Sequence, residues 1–266
     1  MSESSLFSLS GRRAMVTGAS RGLGLQMARA LARAGADLVI TARDVSSLSD
    51  ACQELEALGR KIEPLPLDLR HEDSIQSAIA QATSARALDI LVNNAGCNIR
   101  KPALEVCWDD WNTILDTNLR GMFFMTQGVV KTMLPQKRGR IINIGSVTSV
   151  FGYAGRAPYC ASRGGVKQLT MSLADEFGPH GITVNCLAPG WFRTAQNDVL
   201  YRDEEWLAYL VDRIPLRRPG KAEDLDGTVV FLASDASDYV TGQTLLVDGG
   251  ISTGATRALP GSGAAR

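Results

Sequence analysis

Short apolar segments alternate with longer amphipathic segments along almost the whole chain. In the apolar segments consecutive residues are hydrophobic, which is typical of strands buried on both faces of a parallel sheet. The predicted strands are residues 14–16, 38–40, 62–67, 90–92, 141–144, 182–187 and 244–247. Between them, helical spacing of apolar residues predicts helices over residues 23–34, 46–58, 74–82, 108–133, 159–177 and 222–233.

This alternation predicts an α/β fold with a Rossmann-type, doubly wound parallel sheet of about seven strands. A chain of 266 residues with 45% hydrophobic content could form one such domain or two small ones. Because no linker or internal repeat divides it, a single domain over residues 10–252 is favoured. Residues 1–9 are predicted to be a flexible N-terminus. Residues 253–266, rich in Ala, Gly, Ser and Pro, are predicted to be a disordered tail.

The segment of residues 191–219 interrupts the alternation. Its length predicts a helical lid or a substrate loop. Its aromatic residues are equally compatible with packing against the body of the protein or against a neighbouring subunit. They are Trp191, Phe192, Tyr201, Trp206 and Tyr209.

Charge and cysteine content exclude several classes of partner. Lys+Arg 28 balances Asp+Glu 28 and no polybasic block occurs, so neither nucleic acid nor a membrane is a predicted partner. The five cysteines lack CxxC spacing and both histidines lie far from them, so no metal site or disulfide framework is predicted. With no signal-like N-terminus and no apolar run of ~18 residues, we expect a cytoplasmic protein with a small ligand.

A glycine-rich turn lies between the first predicted strand and the first predicted helix. Glycines allow a tight turn and close approach of the backbone to a pyrophosphate, and the helix N-terminus offers free N–H groups. A glycine turn alone could be purely structural, but the strand before it and the helix after it favour a dinucleotide site. The residues predicted to bind the cofactor here are Thr17, Gly18, Ser20, Arg21, Gly22, Leu23 and Gly24.

The end of the second strand indicates which dinucleotide binds. No acidic residue follows Ile40 where an NAD enzyme would bind the ribose 2′-hydroxyl. Arg43, together with Arg21, could instead bind a 2′-phosphate through charge-assisted hydrogen bonds. NADP(H) is therefore predicted rather than NAD, with a merely solvated Arg43 as the alternative.

Tyr159 and Arg163 lie one helical turn apart, and Ser146 follows the fifth predicted strand upstream of them. The phenol and the guanidinium therefore share a face of the helix. A neighbouring cation favours the phenolate and lowers a tyrosine pKa that starts near ~10. Tyr159 is the candidate acid and base, and the Ser146 hydroxyl would meet the same substrate oxygen.

These residues resemble the signature of the short-chain dehydrogenase/reductase family, a serine followed by Tyr-x-x-x-Lys, with Arg163 in place of the lysine. The glycine turn has the Gly-x-x-x-Gly-x-Gly spacing of that family. Further matching segments extend the resemblance from about Gly11 to Gly250. They are Asn93-Asn94-Ala95-Gly96, Pro189-Gly190 with Thr194, and Val247-Asp248-Gly249-Gly250.

The resemblance implies a role for each matching residue. Ser146 would hydrogen-bond the substrate oxygen, Tyr159 would transfer the proton, and hydride would move between the nicotinamide and the substrate carbon. Asn118 would kink its helix and anchor a water. Taken singly, Asn118 could be a satisfied helix amide and Ser146 a strand-end cap. The cofactor contacts implied beyond the glycine turn are Asp68 (adenine), Leu69, Asn94, Ala95, Gly96, Tyr159, Arg163, Pro189, Gly190 and Thr194 (nicotinamide carboxamide).

Because Arg163 replaces the lysine of the family signature, it limits how much of the family's catalysis can be inferred for this chain. Arginine keeps the charge that lowers the tyrosine pKa but stays protonated, so it cannot relay a proton as lysine can. Lys167 lies about 12 Å beyond Tyr159 along a helix and off the shared face, so it does not replace the lysine. We predict an NADP(H)-dependent oxidoreductase slower than a lysine form. The alternative is a cofactor-binding protein or sensor with little turnover, although Ser146, Tyr159 and Asn118 favour the enzyme.

The substrate and assembly follow from resemblance to branches of the family. Residues 98–102, followed by Trp108 and Trp111, resemble gluconate 5-dehydrogenases and 2-deoxygluconate 3-dehydrogenases, and 3-oxoacyl-acyl-carrier-protein reductases share most of the pattern. The predicted substrate contacts are Ser146, Tyr159, Arg100 and Trp191. Arg100 could attract a sugar-acid carboxylate or could simply be solvated. Relatives predict a homotetramer, or a homodimer, built on the helices of residues 108–133 and 159–177.

Overall fold

The computed structural model describes residues 6–194 and 198–253. These residues form a sheet whose neighbouring strands are all parallel, in the order β3-β2-β1-β4-β5-β6-β7. The predicted single-domain Rossmann fold is confirmed. The strands are β1 Arg13–Val16, β2 Asp37–Ala42, β3 Ile62–Pro66, β4 Ile90–Asn93, β5 Gly139–Ile144, β6 Ile182–Pro189 and β7 Thr244–Val247.

Helices cover both faces of the sheet. Along β1, Met15 packs with the core on one face and the next residue, Val16, with the core on the other. This explains why the strands are apolar at consecutive positions, since both faces are buried. No helix among residues 6–194 and 198–253 is long and apolar enough to cross a membrane. The α-helices are α1 Gly22–Arg33, α2 Ser49–Glu56, α3 Glu72–Thr83, α4 Trp108–Leu115, α5 Gly121–Met133, α6 Ala157–Phe177, α7 Glu204–Arg213 and α8 Asp226–Ala233.

The helix predicted over residues 108–133 is interrupted. A π-helical turn, Asp116–Arg120, separates α4 from α5 and contains Asn118. The Asn118 side chain is bonded to both backbone groups of Cys97, 2.8 and 2.9 Å away, which fixes this turn against the loop after β4. Such turns insert an extra residue into a helix, and periodicity alone does not reveal them.

The N-terminal end of the packed domain lies within the residues predicted to be flexible. Leu9 is fully buried, and its N–H donates to the carbonyl of Ala34 over 2.8 Å. The packed domain therefore begins before residue 10, because residues predicted to be flexible complete its core. Residues 1–5 and 254–266, which fall in the predicted flexible N-terminus and disordered tail, lie outside the described residues.

The segment predicted as a lid or substrate loop contains a short 3₁₀-helix, Asp198–Arg202, followed by α7. Tyr201, Leu210 and Ile214 form a small core of their own, against which Trp191 and Trp206 pack. The segment is attached to the rest of the fold through Ile251, which packs against this core, and through the ring of Trp191, whose centre lies 5.4 Å from that of Tyr153. Residues 195–197 within it lie outside the described residues.

The parallel sheet places the carboxyl ends of its strands at one edge. The chain runs outward in opposite directions from β1 and β4, the two neighbours between which the strand order reverses. In doubly wound folds a crevice opens at this point beyond the strand ends, and ligands bind there.

Candidate active site

A cleft of about 800 Å³ lies beyond the carboxyl edge of the sheet. Every residue predicted for the site lines this cleft except Thr17 and Asn118. Six arginines line it against one aspartate, although the chain as a whole has a net charge of +0. The cleft is therefore suited to anionic ligands. The six arginines are Arg21, Arg43, Arg70, Arg100, Arg156 and Arg163.

The glycine turn has the backbone geometry expected of a pyrophosphate site. Gly18 and Gly22 have φ values of +68° and +61°, which side chains rarely allow. A Cβ at Gly24 would lie 2.2 Å from the carbonyl oxygen of Gly18, so only glycine lets α1 approach the turn this closely. Since Arg21 at the N-cap gives no side-chain hydrogen bond, the first N–H groups of α1 have no cap from that side chain.

Thr17 lies beneath the cleft rather than in its wall. It is fully buried, and its hydroxyl accepts hydrogen bonds from the N–H groups of Asn94 and Ala95, each over 3.0 Å. The Asn94 amide in turn donates to the carbonyls of Thr17 and Gly18. Thr17 therefore positions the walls of the site, and its hydroxyl is occupied by protein groups.

Two arginines in the cleft wall, one in the glycine turn and one just after β2, fit the predicted 2′-phosphate. Arg21 and Arg43 are exposed and line the cleft. Within the described part of the chain, neither side chain has a hydrogen bond or an ion pair. Their charges are thus free for a ligand, and together they fit a phosphorylated dinucleotide.

Asp68, the predicted adenine contact, lines the cleft beside Leu69 but has a partner of its own. Its carboxylate accepts from Nε of Arg70 over 3.0 Å. That hydrogen bond is the largest cause that lowers the pKa of Asp68 to about 2. Arg70 was not predicted, and no sequence signal distinguished it from other surface arginines.

Arg163 and Tyr159 contact each other on α6, as their four-residue spacing predicts. Its guanidinium carbon lies 5.0 Å from the centre of the Tyr159 ring. The side chain is only 6% exposed, and Nη1 donates to the carbonyl oxygen of Ile144 at the end of β5 over 2.7 Å. The charge is therefore held between the strand end and the phenol.

The surroundings of Tyr159 favour its ionised form. Burial acts most strongly and raises its pKa, but the charge of Arg163, hydrogen bonds with Arg163 and Ser146, and the charge of Arg156 outweigh burial. The pKa of Tyr159 is therefore lowered below its ordinary value. Ser146 also acts as a cap, since its hydroxyl accepts from the N–H of Thr148 over 3.2 Å.

Asn118 lies behind the wall of the cleft and stabilises the loop of Cys97, which lines it. It is 1% exposed, and its amide bonds the backbone of Cys97 and, over 3.2 Å, the hydroxyl of Ser162. A Cβ at Gly96 would lie 3.0 Å from its Oδ1, so Gly96 separates Asn118 from the cleft. Lys167, the other cation of α6 considered above, does not line the cleft.

Sequence reasoning missed Arg156, which lines the cleft three residues before Tyr159. Its guanidinium carbon lies 5.1 Å from the ring centre of Tyr153 and 5.0 Å from that of Trp191. A signal existed, because Arg156 is the N-cap of α6. A cation at a helix N-terminus is electrostatically unfavourable, and such breaches of local rules concentrate at functional sites.

Comparisons with known proteins agree with this geometry. A family model described as enoyl-(acyl carrier protein) reductase matches residues 18–252. Gluconate 5-dehydrogenase of Gluconobacter oxydans (strain 621H) is 45% identical over 252 residues, covering 94% of this chain and 98% of the relative. 2-Dehydro-3-deoxy-D-gluconate 5-dehydrogenase of Escherichia coli (strain K12) is 42% identical, covering 92% and 97%.

A solved structure is also similar to this chain. The gluconate 5-dehydrogenase of Burkholderia cenocepacia J2315, crystallised in complex with NADP and tartrate, superposes with a TM-score of 0.91 at 39% identity. The match covers 95% of this chain and 99% of that one. With the matching motifs assembled in one cleft, the chain belongs to the short-chain dehydrogenase/reductase family, oxidoreductases that act on the CH–OH/C=O pair with a nicotinamide cofactor.

Proposed function

We propose that this protein is an NADP(H)-dependent oxidoreductase that interconverts a ketone and a secondary alcohol in a sugar acid of the gluconate type. The observation that carries the proposal is the contact of Ser146 and Arg163 with the phenol of Tyr159 in the wall of an arginine-rich cleft. A protein that only bound a cofactor would have no chemical need for this arrangement, so the binding-only alternative has no support.

The residues that follow β1 and β2 in the cleft wall indicate which cofactor binds. The glycine turn and the start of α1 suit a pyrophosphate, and Arg21 and Arg43 suit a 2′-phosphate. The Burkholderia cenocepacia relative was crystallised with NADP. Bound NADPH would supply the hydride for reduction.

The protein's own residues handle the proton. In reduction, Tyr159 donates its phenolic proton to the substrate oxygen, which the Ser146 hydroxyl orients. The Arg163 charge stabilises the phenolate that results. Because the guanidinium stays protonated, Tyr159 regains its proton from water or substrate hydroxyls rather than through Arg163. In oxidation the phenolate accepts the proton of the alcohol.

The positive charge of the cleft supports the proposed class of substrate. Arg100 and Arg156 line the cleft, and both the charge of Arg100 and the Tyr159 phenol lie near enough to affect the pKa of Arg156. Acidic side chains that would neutralise them are lacking among the residues lining the cleft, since its one aspartate, Asp68, is paired with Arg70. An anionic substrate such as a keto-gluconate is complementary to these charges, whereas a neutral 3-oxoacyl chain would leave them unpaired.

An activity assay tests the proposal directly. The purified protein is mixed with NADPH and 5-keto-D-gluconate, and the fall in NADPH absorbance is followed, with a 3-oxoacyl substrate in parallel. We expect turnover with the keto acid, and a loss of about 10²-fold or more in Tyr159→Phe. NADPH binding without turnover on any sugar acid would overturn the proposal, and a preference for the 3-oxoacyl substrate would reassign it.

We also propose that copies of the chain associate, as a homotetramer or a homodimer, through α5 and α6. A shallow hollow between these helices is lined by Leu119, Phe123 and Leu169. Phe124 and Met171 are 45% and 46% exposed on the same two helices. Burial of these apolar side chains against a second copy would stabilise the pair.

A further inference from the structure

The guanidinium of Arg156 is placed in an unusual setting for a charged group. It lies against the rings of both Tyr153 and Trp191, which also contact each other. Its Nε is buried, and within residues 6–194 and 198–253 that nitrogen has no hydrogen-bond partner. No ion pair to Arg156 is present in the same part of the chain. Aromatic stacking fixes the position of the charge but does not neutralise it.

Other positive charges surround this group. Arg156 is the N-cap of α6, a helix of 21 residues whose N-terminus is the positive end of its dipole. Arg100 lies close enough that, after burial, its charge is the next cause lowering the pKa of Arg156. Such an arrangement opposes folding of the free protein and becomes favourable when an anion binds.

A buried hydroxyl lies within electrostatic range of the same charges but outside the lining of the cleft. Tyr201 is 4% exposed, and its hydroxyl has no hydrogen-bond partner within the described residues. Burial raises its pKa to about 12, while the charges of Arg100 and Arg156 act on it in the opposite direction. The Tyr201 ring packs edge-on against Trp206, with 5.1 Å between the ring centres and an angle of 90° between the ring planes. Removal of this hydroxyl therefore tests packing near Arg156 without removing a group that lines the cleft.

We propose that Arg156 forms the subsite that binds the carboxylate of the substrate. This rests on the proposed function and deepens it, since it assigns acid specificity to Arg156 rather than to Arg100 alone. Arg100 is exposed and adds charge at the mouth. Arg156 is stacked and partly desolvated, so its bond to a carboxylate is stronger and better oriented.

The test compares an acid with its neutral counterpart. We would measure kcat/KM for 5-keto-D-gluconate and for the matching ketohexose, in which a hydroxymethyl group replaces the carboxylate. In Arg156→Gln the ratio of the two values is expected to fall by about tenfold or more, chiefly through KM for the acid. Arg156→Lys is expected to recover part of the ratio, and Arg100→Gln to lower it less than Arg156→Gln.

Tyr201→Phe provides a matched control, because it removes an unpartnered hydroxyl that does not line the cleft. We expect it to fold at least as stably as the parent and to keep the ratio of the kcat/KM values for the keto acid and the ketohexose. A fall of this ratio as large as in Arg156→Gln would overturn the proposal, because packing rather than charge would then set it. An equal loss for acid and neutral substrate in Arg156→Gln would overturn the proposal, because it would indicate lost packing.

A binding measurement separates this proposal from the proposed function. Tartrate and threitol, its neutral tetrol counterpart, would be titrated into the NADPH complexes of the parent protein, Arg156→Gln and Tyr201→Phe. We expect tartrate to bind more tightly than threitol to the parent, with the difference reduced in Arg156→Gln. A parent that prefers tartrate but turns over no sugar acid contradicts only the proposed function. A parent with no preference for tartrate overturns the subsite, whatever its activity.

Discussion

Gly96 and Arg163 are fitted against each other so closely that a Cβ on Gly96 would lie 2.5 Å from Nη2 of Arg163. The missing side chain of Gly96 leaves room for a guanidinium where the family signature has a lysine. The opposite side of the guanidinium is fixed by the hydrogen bond from Nη1 to Ile144. The position of the charge beside Tyr159 therefore depends on a residue far from it in sequence.

Gly96→Ala should displace the Arg163 guanidinium and reduce activity by about tenfold or more, because small shifts of a catalytic charge are costly. The melting temperature should also fall, because the added Cβ would lie 2.5 Å from the buried guanidinium and 3.0 Å from Oδ1 of Asn118. Steady-state kinetics and thermal unfolding check both parts. Gly227→Ala, where an added Cβ meets nothing within 4 Å, is the control. An unchanged kcat in Gly96→Ala would contradict the proposed dependence on Arg163 placement.

Arg163→Met should move the pH dependence of alcohol oxidation to higher pH. Oxidation requires the Tyr159 phenolate, so its rate rises as pH passes through the pKa of Tyr159, which the Arg163 charge lowers. Without that charge the pKa rises, and the same rate is reached only at higher pH. The pH profile of kcat/KM gives the comparison.

Arg163→Lys should keep the parent's pH profile and turn over faster, because an ammonium can exchange a proton where a guanidinium cannot. Turnover under identical conditions is the measurement. If the lysine variant proves slower, the arginine is fitted to this site, and the close contacts with Gly96 and Ile144 supply the reason.

Arg43→Ala should raise KM for NADPH by about tenfold or more relative to KM for NADH, since only the former carries the 2′-phosphate. Arg43 is exposed and makes no hydrogen bond or ion pair within the described residues, so stability should be unaffected. Parallel kinetics with both cofactors decide the matter. Arg33→Ala, on α1 but outside the cleft lining, should leave the ratio as it is. A similar change for both cofactors would exclude 2′-phosphate recognition by Arg43.

Asn118→Ala should lower the free energy of unfolding by about 2 kcal/mol, because it leaves the N–H and C=O of Cys97 without their partners in a buried place. Urea denaturation measures this loss. Asn98→Ala, at an exposed position, should stay within about 0.5 kcal/mol of the parent. Equal stabilities for the two variants would show that the Cys97 contacts are replaced by water.

Phe124→Asp should shift the protein toward smaller species in sedimentation experiments, if α5 and α6 pair between copies. A buried carboxylate at an interface is strongly unfavourable, whereas on a free surface it costs little. Leu58→Asp, at another exposed apolar position, is the matched control. Identical sedimentation of Phe124→Asp and the parent would remove this face from the proposed assembly.

The sequence by itself determined the elements whose signals are local. Consecutive apolar residues specified the buried strands, and the glycine spacing marked the turn at β1 and α1. The four-residue spacing of Tyr159 and Arg163 placed both on one helical face. The positive character of the cofactor end was also readable, since Arg43 directly follows the second strand.

Only the tertiary structure decided which groups converge and which are hidden. Arg156 and Trp191 come together from separate segments, and Thr17 lies beneath the cleft that it was expected to line. The π-helical turn at Asn118 depends on its bonds to Cys97, twenty-one positions away in the chain. Periodicity reports which face of an element is buried, but contacts between distant segments are set by packing. The setting of Arg156 on which the proposed carboxylate subsite rests, and the position of Arg163, therefore became visible only in the folded molecule.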